Sequence, residues 1–214
     1  MNGLYSAKAW FTRRLSRAVD FAVARQITPD VFTAIGVLFA MVGAVGLWRC
    51  WPVVVLIGVV GRLAGANLDG AVARARNVAR PFGFVLNEVG DRSSDFILWA
   101  GLFAFAGSRY GYTSRSAVWV LIAAIAATIP TFVSLSAVGA GAPRLNGGPF
   151  GKTERCLLFF VVSVVLAFNV NGPNTLAVAS ILVIVGSLTT GLVRLQRTRR
   201  VLAAQKAPDA VEST

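Results

Sequence analysis

Between Val31 and Thr153 the chain carries four acidic residues, Asp69, Glu88, Asp91 and Asp95. All four fall in one stretch, "ANLDGAVARARNVARPFGFVLNEVGDRSSD", residues 66–95. Asn87, Asp91 and Asp95 recur at i, i+4 and i+8, a spacing that stacks side chains on one face of a helix. Asp69 lies near the end of the preceding apolar segment, so an antiparallel turn brings it beside Asn87 and Asp91. Oxygen ligands grouped this way, in a chain with no histidine, suit a hard divalent cation such as Mg2+ or Mn2+. Arg74, Arg76 and Arg80 stand beside the cluster, and a cation together with arginines is a combination that holds a pyrophosphate. Gly70 and Gly83 remove side chains where a flat ligand would approach backbone. The alternative is a structural ion-pair network. Glu88 and Arg92 are spaced i, i+4, and Arg92 is also within reach of Asp95. That alternative accounts for two of the four acids and explains Asp69 and Asp91 less well.

The elements that position these residues are apolar. Of the 214 residues, 56% are hydrophobic and 14% charged, a balance that excludes an ordinary soluble domain. Six stretches, about 31–48, 52–68, 83–107, 117–140, 156–170 and 175–193, approach the roughly 20 apolar residues that a bilayer-spanning helix needs. The expectation is an all-α integral membrane protein with six transmembrane helices over residues 29–195. Long period-2 alternation is absent, which argues against a β-barrel. The first apolar run is followed by others, so it reads as a retained span and not as a cleavable signal. Residues 6–26, "SAKAWFTRRLSRAVDFAVARQ", within the segment 1–28, are predicted to form an amphipathic helix on the membrane surface. An ordinary basic flank is the alternative there. Residues 196–214 are expected to form a basic and then disordered tail, ending "AAQKAPDAVEST".

The net charge of +12 follows the loops. Lys8, Arg13, Arg14, Arg17 and Arg25 precede the first span; Arg74, Arg76 and Arg80 follow the second; Arg144 and Lys152 precede the fifth; Arg194, Arg197, Arg199, Arg200 and Lys206 follow the sixth. The opposite connections carry only Arg49, Arg109 and Arg115. The positive-inside rule therefore places both termini and the acidic stretch on the cytoplasmic side of a cell membrane. The basic excess reads as topology and attraction to anionic lipid, not as a nucleic-acid surface, since it tracks loop parity and lacks interleaved aromatics. Lys152 and Arg155 open the fifth span on the same side as the acids. They are candidate contacts for an anionic acceptor, with a simple interfacial anchor as the alternative. Asp95, one turn beyond Asp91, extends the acidic face and is a further candidate acceptor contact. Arg62, inside the second span, either snorkels or pairs with an acid. Cys50 and Cys156 fall at opposite ends of the topology, which argues against a disulfide between them.

The spacing of the acidic stretch resembles the CDP-alcohol phosphotransferase family, which carries D-x2-D-G-x2-A-R-x8-G-x3-D-x3-D. Asp69-Gly70, Ala73-Arg74, Gly83 and Asp91 match, and "ITPDVFTAIG" is similar to the family's entry into its first span. The resemblance covers about 25–195. Two positions depart from it: the family's first Asp falls on Ala66 and its third on Asn87. Asn67 neighbours the lost position, but one residue turns a helical side chain by about 100°. "NEVGDRSSD" resembles a bacterial subgroup reading N-E-x2-D-R-x-S-D, and its D-R-x-S-D ending also occurs in members whose acceptor is a polyol phosphate.

The resemblance implies displacement of CMP from a CDP-alcohol, such as CDP-diacylglycerol, by an acceptor hydroxyl. Asp91 would be the base. Asp69, Asn87 and Asp91 would hold Mg2+ or Mn2+, as one ion or two. Gly70, Arg74, Arg80 and Gly83 would bind the CDP-alcohol, and Lys152, Arg155 and Asp95 the small alcohol acceptor. Family members hold two cations with four Asp and are commonly homodimers. Two other readings stay open: a non-catalytic member that binds nucleotide or lipid, and a small transporter whose acids line a path across the bilayer.

Overall fold

The computed structural model describes residues 15–168 and 171–209, with side chains described through Gln205 in the last helix. Among these residues the structure is helical with irregular connections and has no strand. In chain order the helices are α1 (Ser16–Ala24), α2 (Pro29–Arg49), α3 (Pro52–Ala75), α4 (Pro81–Tyr110), α5 (Arg115–Ala126), α6 (Ile129–Gly139), α7 (Lys152–Ala167) and α8 (Gly172–Asp209).

Local chemistry sets the boundaries. Pro29, Pro52 and Pro81 open α2, α3 and α4, where a missing N–H costs nothing and the fixed φ suits a helix start. Gln26, Cys50 and Asn77 take left-handed φ values of 55°, 56° and 52° just past α1, α2 and α3. After each, two backbone N–H groups return to the last helical turn, as Asn77 does to the Arg74 carbonyl and Val78 to the Ala73 carbonyl. The first short reversal folds α3 closely onto α2, whereas α3 and α4 touch little beyond the turn that joins them and each packs instead on α2. The α3–α4 turn and its flanks carry the acidic stretch.

Helix α2 lies against both α3 and α4, and glycine permits the approach. A Cβ placed on Gly58 would overlap the backbone of Gly43, and one on Gly65 would lie 2.8 Å from the Cα of Gly36. One on Gly101 of α4 would strike the backbone of Ala44. Small residues of this kind are how helices pack closely where lipid removes the hydrophobic drive between them. A core of Leu47, Val59, Leu98, Leu102 and Val120 continues to α7, where Trp99 meets Phe159 edge-on at 4.8 Å between ring centroids. The outward faces stay apolar: Val53, Ile125 and Phe132 are all more than two-thirds exposed, as side chains facing lipid would be.

Among the described residues, four helical segments are long and apolar enough to cross a membrane: Pro29–Arg49, Pro52–Ala75, Arg115–Gly139 and Gly172–Gln205. Of the six expected spans, α4 is long but carries Glu88, Asp91, Arg92 and Asp95 in its first half, and α7 has 16 residues. The expected fourth span is two helices, interrupted at Ala127–Thr128 just before Pro130, whose ring cannot continue the hydrogen-bond ladder. The fifth begins at Lys152, four residues before its expected start, which puts Lys152 and Arg155 on its first turn. The sixth runs on to Asp209, so residues 203–209, expected to be disordered, are helical. Residues 210–214 lie outside the described residues. Of the expected interfacial helix 6–26, residues 16–24 are helical, and 6–14 lie outside the described residues.

Because Gly58 meets backbone and not a movable side chain, Gly58→Leu should destabilise the protein by about 1–3 kcal/mol. A lowered unfolding midpoint in detergent would report it. Gly139→Ala, at a position where a Cβ meets nothing within 4 Å, should leave that midpoint within about 0.5 kcal/mol of wild type.

Candidate active site

Three helices wall a small cleft. Thr33 and Gly36 come from α2, Arg62, Ala66 and Asp69 from α3, and Asn87, Gly90 and Asp91 from α4. The expected grouping of Asp69, Asn87 and Asp91 is thus present, on the facing ends of α3 and α4 that both pack against α2. Asp69 is 5% exposed. Its Oδ2 accepts from Thr33 Oγ1 at 3.0 Å and from Asn87 Nδ2, and its Oδ1 accepts from the Gly70 N–H. Thr33 reaches Asp69 because Gly90 clears its path: a Cβ there would lie 2.5 Å from Thr33 Cγ2. Ala66 faces the same cleft with a methyl group. Asn67 does not replace it, since its Nδ2 donates to the Leu63 carbonyl at 2.7 Å along its own helix.

Asp91 is held from α7. Lys152 Nζ donates to both carboxylate oxygens, at 2.9 and 2.8 Å. Glu154 Oε2 accepts from the Gly151 N–H at 2.9 Å and so fixes the start of α7 that carries Lys152.

Below Asp91 lies a buried ion cluster. Asp95 pairs with Arg62 at 2.5 Å, Arg92 at 2.6 Å and Arg155 at 2.8 Å. Arg62 is 1% exposed and does not snorkel. It also donates to Cys156 Sγ at 3.0 Å and to the Asp91 carbonyl at 3.3 Å. Arg92 therefore serves Asp95 and not Glu88. Glu88 instead pairs with Arg144, from the connection between α6 and α7. Arg194 of α8 ties that connection by donating to the Gly147 carbonyl at 2.9 Å, and ties α6 by donating to the Pro130 carbonyl at 2.8 Å. Arg92, Arg144, Arg155 and Arg197 all lie within electrostatic reach of Arg194. The result is a basic group beside the cleft, in which Nε of Arg92, Arg144 and Arg155 is buried without a hydrogen-bond partner.

The remaining expected residues sit at the rim. Arg74 is exposed and folds over Gly70, where its Nη1 would lie 3.2 Å from an added Cβ. Arg80 is exposed, packs against Gly83 and pairs with Asp30 at the start of α2. Neither arginine lines the cleft wall. Arg76 donates to the Gln26 and Ile27 carbonyls, at 3.0 and 2.6 Å, and so clamps the entry to α2. Sequence reasoning missed Thr33, Arg144 and Arg194. Thr33 lies within the entry segment "ITPDVFTAIG", which was its one available signal. The two arginines read only as topology.

Among the described residues, no three Asp, Glu or Cys side chains converge into a group that could hold a metal ion. The donor set still fits a hard cation. Two carboxylates and an amide wall one cleft, and Mg2+ commonly takes one or two carboxylates with substrate phosphates and water completing its shell.

No family model matches the chain. The chain is 32% identical over 209 residues to the phosphatidylinositol phosphate synthase of Mycolicibacterium smegmatis, covering 93% of this chain and 87% of that protein. It is 31% identical to the Escherichia coli inner membrane protein YnbA, over 58% of this chain and 56% of that one. Among solved structures, the Mycobacterium tuberculosis phosphatidylinositol phosphate synthase with CDP-DAG bound superposes with a TM-score of 0.68 at 26% identity, covering 87% of this chain and 94% of that chain. The same enzyme in complex with manganese and citrate gives a TM-score of 0.67 at 26% identity, covering 85% and 87%.

Asp95→Leu would leave three guanidinium groups around an apolar side chain. Stripping the partner from buried charges should cost about 3–5 kcal/mol, read as a lowered unfolding midpoint. Asp30→Ala breaks an exposed pair and should cost under about 1 kcal/mol.

Proposed function

The chain belongs to the CDP-alcohol phosphotransferase family, and from that premise we propose that it transfers a phosphatidyl group from a CDP-alcohol, such as CDP-diacylglycerol, to an acceptor alcohol and releases CMP. The observation that carries this reading is the cleft itself. Asp69, Asn87 and Asp91, at matching motif positions on two helices, share one wall beside a basic group. The reaction belongs to phospholipid biosynthesis in a membrane.

Each step falls to a residue in place. Asp91 takes the proton from the acceptor hydroxyl, which needs only hydrogen-bond reach. Lys152 occupies one acceptor position on each Asp91 oxygen, and a carboxylate offers about four, so both oxygens keep capacity. The hydroxyl oxygen then bonds to the phosphorus that bears the diacylglycerol, and the bond from that phosphorus to CMP breaks. Asp69, Asn87 and Asp91 would hold a divalent cation, Mg2+ or Mn2+, whose chemistry there is to neutralise the pyrophosphate and the departing CMP. Arg74 at the rim offsets phosphate charge, and Gly70 and Gly83 keep backbone accessible beside it. Arg80, tied to Asp30, does so only by leaving that exposed pair.

The acceptor enters from the α7 side. Arg155 is committed to Asp95, so the two act as one unit that sets the floor of the acceptor region. Arg144 and Arg194 add positive charge beside them, which favours an anionic acceptor such as a polyol phosphate. In this reading α4 and α7 cross the bilayer with the four apolar segments, making six spans over residues 29–195. Both termini and the cleft face the cytoplasm across the cell membrane, lipid surrounds the apolar faces, residues 1–28 lie at the interface, and the protein is a homodimer. The distribution of basic loops supports this orientation.

The test is CMP release by the purified protein in detergent, given CDP-diacylglycerol, Mg2+ or Mn2+, and a panel of glycerol 3-phosphate, inositol phosphate, inositol and serine. One acceptor should support release. EDTA should abolish it, and Asp91→Asn should lower it by about 10²–10⁴-fold. CDP-diacylglycerol binding without turnover on any acceptor would favour the non-catalytic reading.

A further inference from the structure

Within that reading, on which this inference rests, the cleft has too few free oxygens for two divalent ions. A carboxylate offers about four acceptor positions. Three of those on Asp69 are taken, by Thr33 Oγ1, Asn87 Nδ2 and the Gly70 N–H. Two of those on Asp91 are taken by Lys152 Nζ. What remains is one position on Asp69, one on each Asp91 oxygen, and the carbonyl oxygen of Asn87, which accepts nothing from a described residue. Ala66, on the same wall, offers none. One ion uses Asp69, Asn87 and a single Asp91 oxygen, with phosphate and water filling its shell. The other Asp91 oxygen is then reserved for the acceptor's proton.

Charge leads to the same count. The cleft side chains bring two negative charges against the ammonium of Lys152 and the buried guanidinium of Arg62, which is itself paired to Asp95. A second divalent ion would make the cleft net positive even with a pyrophosphate bound. It would also have to take the Asp91 oxygen left for the acceptor's proton, directly beside the ammonium of Lys152.

We propose that this chain binds a single divalent cation, and that the ammonium of Lys152 supplies on Asp91 the positive charge that a second ion would otherwise bring. Lys152 is thereby a charge-supplying residue of the cation site. Its position on the first turn of α7, 61 residues from Asp91, is what allows it to act there.

The experiment is titration of the full-length protein in detergent with Mn2+, in the presence of CDP-diacylglycerol, with bound ion counted by electron paramagnetic resonance. Wild type should bind one Mn2+ per chain. Lys152→Met should bind Mn2+ at least about tenfold more tightly or acquire a second ion, because a neighbouring positive charge is gone and two oxygen positions are released. The triple variant Ala66→Asp, Asn87→Asp, Lys152→Met should bind two. Two ions on wild type would overturn the proposal while leaving divalent-dependent transfer standing. No ion on wild type would overturn both. Unchanged stoichiometry and affinity in Lys152→Met would overturn the role given to Lys152.

Discussion

Asp95 carries a negative charge into a shell of three guanidinium groups drawn from three helices: Arg62 of α3, Arg92 of its own α4 and Arg155 of α7. At this depth a charge is tolerated only when it is paired and hydrogen-bonded, so the pairing constrains where all three helices sit. The consequences reach the cleft directly. Asp95 is one turn from Asp91, so fixing the first fixes the second. Arg155 is on the same turn of α7 as Lys152, so the contact that seats Arg155 also delivers Lys152 to Asp91. Arg62 closes the loop by donating to the Asp91 carbonyl as well as to Asp95. The shell holds more positive than negative charge.

The second constraint is steric. The cleft exists because α2 comes within backbone contact of α3 and α4, which the glycines at 58, 65 and 101 permit, while Gly90 leaves room for the Thr33 side chain. Without that approach Thr33 would not reach Asp69. Asp69 would then lose a donor and Asn87 would be its one side-chain partner. Packing and polar satisfaction are therefore one problem here. The same glycines that compact the helices in lipid bring the polar groups into register.

Set against the motif that its acidic stretch resembles, the chain has carboxylates at the second and fourth positions, Asp69 and Asp91, and a methyl and an amide at the first and third, Ala66 and Asn87. Asn87 turns its amide donor onto Asp69, and Asp91 receives an ammonium. Both changes lower the negative charge of the cleft in the same direction. A site altered this way is internally consistent: fewer carboxylates are matched by more hydrogen bonds to those that remain.

Much of this was legible in the residues. The i, i+4 spacing of Asn87 and Asp91, the turn before Pro81 and the position of Asp69 determined that these groups meet, because a helix has a fixed period and a short loop allows one return path. The apolar runs and loop charges determined a helical membrane protein. Only the tertiary structure decided the partners. Glu88 and Arg92 had the spacing of a pair, yet Arg92 turned to Asp95 at 2.6 Å and Glu88 to Arg144, 56 residues on. Lys152 on Asp91, Arg155 on Asp95 and Arg62 on both carry no local signature. Periodicity states which residues share a face of one helix. Which other helix that face meets depends on where small residues allow backbones to touch and where buried charges find their opposites, and neither is a property of any single segment.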